Sequence, residues 1–157
     1  MVINMTTIKC DSKKCKNNCC AVFDGISTHL TPFGGSFKFS DIILSIEDYR
    51  LLCENDHIDL IEIGNNGLIK LKTSDNGLCS AFKNGKCTIY DYRPTVCRAY
   101  PFYIDMFAGL CTIKDCCAAP QKGNIVDFLD DIKAVISVYK KWITYYEQII
   151  SKDDNDR

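Results

Sequence analysis

The sequence predicts an α+β fold: a small, cysteine-rich, metal-stabilised domain in which short β-hairpins and a short helix lead to a long C-terminal amphipathic helix. Three observations predict it. Two apolar stretches are interrupted by Gly64-Asn-Asn-Gly67 and by Asn84-Gly85, turn signals that specify hairpins. Apolar residues between Ile125 and Ile150 recur at helical spacing. Of eleven cysteines, all but Cys53 fall into three groups, a pattern that favours metal over disulfides in a reducing compartment.

The elements follow in chain order. Residues 1–9 form a short lead-in, and residues 10–20 are polar, basic and cysteine-rich, a loop shaped by what its thiols bind. Gly25, Pro32, Gly34 and Gly35 mark residues 21–36 as loop or turn. Phe37, Phe39 and Ile42 to Leu44 read as an extended segment. Ser45-Ile-Glu-Asp48 starts a helix, with serine as cap and acids in the first turn, and Tyr49, Leu52 and Cys53 carry its apolar face to about Asn55. Leu60 to Ile63 and Leu68 to Leu71 make the first hairpin. Leu78 to Phe82 and Lys86 to Tyr90 make the second, around a turn whose residues both accept positive φ. Pro94 opens a short helical turn that Pro101 closes. Residues 105–123 read as irregular. Asn124 caps the last helix, with Asp127 in its first turn.

These elements make one domain over residues 1–157. It comprises a cysteine-rich metal-binding region over 10–120, a helix over 124–150 packing on it, and a frayed polar tail over 151–157. The helix reads as a cover for the core, the alternative being a face for a partner. Nineteen Lys and Arg against twenty Asp and Glu give no general attraction to nucleic acid. No charged start and long apolar run marks a signal peptide, and no apolar stretch is long enough to span a membrane. The expected compartment is the cytoplasm. The expected partner is another protein or peptide, not nucleic acid or a membrane.

The cysteine groups are Cys10, Cys15, Cys19 and Cys20; Cys79, Cys87 and Cys97; and Cys111, Cys116 and Cys117. All ten are candidate metal ligands. Thiolates suit soft or borderline acceptors, and four of them satisfy a tetrahedral zinc or a four-iron cube. Ten exceed one site, so two sites are open. Neighbouring residues in extended chain point to opposite faces, so Cys19 and Cys20, like Cys116 and Cys117, either serve two sites or divide between ligation and packing. Cys53, on the apolar face of a helix, reads as a small buried hydrophobe. Arg93, Arg98, Lys13, Lys14 and Lys16 lie near the ligands in sequence and can offset thiolate charge. For the lysines a solvated surface is the favoured reading.

The segment from Cys79 to Phe102 resembles a known pattern: Gly85-Lys-Cys87-Thr-Ile-Tyr90, then Arg93-Pro94-Thr-Val-Cys97-Arg98-Ala-Tyr100-Pro101-Phe102. It is similar to the YkgJ-type cysteine-cluster family, the zinc- or iron-chelating CxxCxxCC domain, and the resemblance spans roughly residues 10–120. It implies metal binding, with Cys15, Cys19, Cys20, Cys79, Cys87, Cys97 and Cys116 as cofactor ligands. The family usually has two residues between its first two cysteines and a glycine before the Cys-Cys pair. Here the gap is four and the glycine is missing, and Cys111 and Cys117 lie outside the usual pattern. Flagellin lysine methylases carry a similar domain linked to an iron–sulfur cluster, which favours iron over zinc without implying methylation.

The expected cofactor is therefore one or two [4Fe–4S] clusters, with zinc as the alternative. The expected role is electron transfer, sensing or support of a protein- or peptide-modifying reaction; the alternative is a structural zinc module for protein–protein interaction. No residue set identifies a catalytic group. His29 and His57 lack metal-ligand spacing to a cysteine and read as surface or core residues. Asp41, Glu47 and Asp48 read as a helix-start cluster, and Tyr90, Tyr92, Tyr100 and Tyr103 as packing around the second cysteine group.

Overall fold

The first core of the chain forms where residues 42–44, a helix and a hairpin bury their leucines together. The computed structural model describes residues 42–64, 67–75, 77–112 and 124–155. Helix α1 (Ile46–Glu54) begins at a capping box: the Ser45 hydroxyl accepts from the Asp48 backbone N–H, and the Asp48 carboxylate accepts from the Ser45 N–H, each at 3.0 Å. The helix ends at Asn55, and Asp56 turns the chain out at φ 61°.

Strands β1 (Ile61–Ile63) and β2 (Ile69–Leu71) form the first expected hairpin, antiparallel, with Ile61 opposite Leu71. The Gly67 N–H closes the turn on the Gly64 carbonyl at 2.9 Å. Residues 42–44 line the other edge of β2: the Leu44 N–H donates to the Ile69 carbonyl and the Leu71 N–H to the Ile42 carbonyl. Leu44, Leu52, Leu60, Leu71, Ala81 and Ile89 bury together, with Cys79 among them. Burying a leucine or isoleucine side chain contributes about 1.5–3 kcal/mol, so this cluster dominates the local stability.

The second expected hairpin is shorter than its sequence signal. Strands β3 (Phe82–Lys83) and β4 (Lys86–Cys87) flank Asn84 at φ 52° and Gly85 at φ 74°. Both central residues are left-handed, which matches the strand twist of a tight hairpin. Helix α2 (Thr95–Ala99) starts after Pro94, and its end leads through a cis Tyr100–Pro101 peptide.

The chain departs from expectation after Pro101. Strands β5 (Phe102–Asp105) and β6 (Gly109–Thr112) form a third antiparallel hairpin where the sequence predicts an irregular stretch. Its turn is built by Asp105, whose carboxylate accepts from the Phe107 and Ala108 backbone N–H groups at 2.8 Å, and by Gly109 at φ 75°. An aspartate that bonds its own backbone two and three residues on substitutes for a glycine–asparagine turn.

A 3-10 turn over Ile125–Phe128 leads into helix α3 (Leu129–Asn155), with the Asp127 carboxylate accepting from the Asn124 N–H at 3.0 Å. This is one continuous helix. It runs to Asn155, past residue 150 where the sequence predicts a frayed tail to begin, and the Ser151 and Asn155 side chains donate to the carbonyls of Glu147 and Ser151. Its N-terminal half packs on α2 and β5 around a second core of Ala99, Phe102, Phe128, Ala134 and Val135, with the Phe102 and Phe128 rings 5.5 Å apart. Tyr139 ties α3 to β5: its hydroxyl donates to the Ile104 carbonyl at 2.6 Å and accepts from the Ile104 N–H at 3.0 Å. The mixed helix and strand pairs with a long C-terminal helix are the α+β fold that the sequence predicts. No helix among the described residues is long and apolar enough to cross a membrane.

Candidate metal centre

Cys79 and Cys87 are positioned by the second hairpin against the first core. Cys79 bridges Thr73, and the next peptide is held by the Ser80 N–H on the Lys72 carbonyl at 2.9 Å. Cys87 pairs across the hairpin with Phe82 and packs, half-buried, on the cluster that includes buried Cys79. The Thr88 N–H and hydroxyl both bond the Ala81 carbonyl, at 2.8 and 2.9 Å, and lock the return strand.

Cys97 comes from α2 and is half-buried. Pro94 precedes this helix and offers no side-chain acceptor, so the first N–H groups need one from elsewhere. Asp48 supplies it from α1: its second carboxylate oxygen accepts from the Thr95 N–H at 2.9 Å and the Thr95 hydroxyl at 2.8 Å. One carboxylate, only 3% exposed, thus caps two helices. Sequence reasoning reads Ser45 as the cap and Asp48 as a first-turn acid, and misses the tie to Thr95 because that partner lies 47 residues away.

The arginines beside the cysteine motif are engaged in holding the chain. Arg93 donates through Nε to the Tyr90 carbonyl at 2.9 Å and stacks 3.9 Å over the Tyr90 ring. Arg98 reaches the Thr95 hydroxyl at 3.1 Å and lies 4.0 Å from Asp48. Both therefore stiffen the segment that carries Cys97. His57 is half-buried with its ring 5.6 Å from that of Tyr92, the packing role expected of it.

Cys111 is carried by β6 opposite Tyr103. Desolvation first, and the adjacent Cys111 next, hold the Tyr103 hydroxyl above its ordinary pKa. Cys53 is half-buried, less enclosed than expected, and its proximity one turn after Tyr49 on α1 holds the tyrosine pKa above its ordinary value. Cys10, Cys15, Cys19, Cys20, Cys116 and Cys117 lie outside the described residues, as do Lys13, Lys14, Lys16, His29 and Asp41.

The structure thus brings Cys79 and Cys87 onto one core and mounts Cys97 on a doubly anchored helix. Among the described residues, no group of three or more Cys, His, Asp or Glu side chains stands ready around a single metal position. Thiols are donors of the kind that suit a soft or borderline metal.

A cleft of about 280 Å³ lies beside this segment, between the starts of α1 and α2 and the middle of α3, with Asp48, Thr95, Arg98 and Lys141 set among apolar walls that include Val96 and Trp142. Burial lowers the Lys141 pKa there, with the Asp48 charge opposing. No protein-family model, no curated protein and no solved structure matches this chain.

Proposed function

We propose that the chain binds one or two [4Fe–4S] clusters, four thiolates to each, drawn from Cys15, Cys19, Cys20, Cys79, Cys87, Cys97 and Cys116, with Cys10, Cys111 and Cys117 as further candidate ligands. The observation that carries this reading is the mounting of three thiols on a hairpin, a core and a capped helix within residues 79–97. Such a mounting ties each thiol to an ordered element, which lowers the backbone ordering cost of ligation once the remaining sulfurs are brought in. The resemblance of the same segment to a metal-chelating pattern supports it independently of geometry.

The cluster, when bound, supplies one-electron transfer. The chain's own residues supply the rest. Ile89 and the leucines of the first core exclude water behind Cys79 and Cys87, and Asp48 holds the helix of Cys97. The role is electron transfer, sensing or support of a modifying reaction on a protein or peptide partner in the cytoplasm. Anaerobic purification followed by iron, sulfide and zinc analysis and visible absorption tests the proposal. Iron and acid-labile sulfide in equal amounts, with a broad band near about 400 nm that Cys87→Ser diminishes, are expected. Stoichiometric zinc without iron would replace it with the structural zinc module.

A further inference from the structure

One flank of α3 carries an apolar seam that the body of the protein leaves in solvent apart from Tyr139, whose hydroxyl is held by Ile104 of β5. Ile136, Ile143 and Ile150 recur every seven residues, and Tyr139 and Tyr146 fall three residues after the first two. This is the a/d spacing of a two-helix coiled coil. Ile143, Tyr146 and Ile150 are 56%, 52% and 61% exposed, whereas Val135 and Ala134, which face α2, are buried. Such a seam on a solvated helix requires an occupant.

The charges along the seam select one. The column flanking it on the side away from the body reads Lys133, Lys140, Glu147, Asp154: two bases, then two acids, each one heptad apart. In a parallel pair these positions face Val135, Trp142 and Ile149 of the other helix, and no charges pair. In an antiparallel pair the column faces itself reversed, so Lys140 meets Glu147 and Lys133 meets Asp154 of the second helix. The same register sets Ile143 against Tyr146 and Tyr139 against Ile150. A second copy of this sequence supplies the column in reverse.

We infer that two copies of the chain associate through an antiparallel pairing of α3, centred between Lys140 and Glu147. The seam spans about two heptads, so the dimer forms in the micromolar range, about 1–50 µM, rather than tighter. The pairing is independent of metal.

Sedimentation velocity of the full chain across this range tests it, with charge-reversal variants at exposed positions that leave the fold intact. Lys140→Glu sets two acids against each other across the pair, and Glu147→Lys sets two lysines together; each alone weakens self-association about tenfold. An equimolar mixture of the two variants forms a heterodimer, and the double variant K140E/E147K regains wild-type association. Ile143→Asp abolishes it while far-UV circular dichroism stays unchanged. A wild-type chain that remains monomeric at about 100 µM overturns the inference. A dimer indifferent to both charge reversals overturns the antiparallel pairing.

Discussion

Replacing Asp48 tests whether one carboxylate joins the two helices that frame the cysteine segment. It accepts three hydrogen bonds, from the Ser45 N–H, the Thr95 N–H and the Thr95 hydroxyl, at 3.0, 2.9 and 2.8 Å. Bonds to a charged partner contribute about 1.5–3 kcal/mol each when fully buried. These donors are partly buried, and water recovers some of the loss, so about 1 kcal/mol each is the better figure. Asp48→Ala is then expected to cost about 3 kcal/mol. Asp48→Asn keeps one oxygen for Thr95 but turns an NH2 toward the Ser45 N–H, and costs about 1–2 kcal/mol. Thr95→Val removes the hydroxyl's bond to Asp48 and the exposed Arg98 contact on the same oxygen, at about 1 kcal/mol, and its effect is smaller in the Asp48→Ala background because the carboxylate is already gone. Urea unfolding followed by far-UV circular dichroism, with an unchanged denaturant slope, measures all four. Glu47→Ala is the control, being exposed in the same first turn and limited to the helix-dipole effect of about 0.5 kcal/mol. If Asp48→Ala costs no more than Glu47→Ala, or if its effect adds fully to that of Thr95→Val, the carboxylate does not couple the helices.

Two more perturbations probe the hairpins. Gly85→Ala introduces a Cβ that meets nothing within 4 Å, so its cost comes only from the left-handed backbone at φ 74° and is expected to be about 1 kcal/mol in the same urea assay. Backbone hydrogen bonds from Ala108 first and Phe107 second hold the Asp105 carboxyl below its ordinary pKa. A depressed folded pKa contributes stability that is present above the unfolded value and is lost as pH falls through the folded one. The β5–β6 hairpin of wild type should therefore loosen on acidification below about pH 4, read by amide hydrogen exchange at Ala108, and Asp105→Asn should flatten that dependence.

The parts of the fold that were legible in sequence are those written in local code. Ser45-x-x-Asp48 fixed the start of α1, Asn84-Gly85 the second hairpin and Asn124-x-x-Asp127 the entry to the last helix, because each signal acts within one turn of chain. The β5–β6 hairpin escaped because Asp105 makes its turn through side-chain acceptance, a signal that aspartate also gives in loops without strands. The end of α3 escaped because Ser151, Asp153, Asp154 and Asn155 have weak helix propensity, while the carbonyls one turn back accept the Ser151 and Asn155 side chains.

The candidate site divides along the same line, with a consequence for how it works. The cysteines were found by residue type and spacing, but what holds them was not, since Asp48 meets Thr95 across 47 residues and the Ser80 N–H meets Lys72 between two hairpins. Arg93 and Arg98 show the risk of reading proximity in sequence as proximity to charge. Beside the cysteines in sequence, they direct their donors to the Tyr90 carbonyl and the Thr95 hydroxyl. Those acceptors are neutral, so both guanidiniums keep their full positive charge, and hydrogen bonding alone does not withdraw their field from Cys97, which lies between them in sequence.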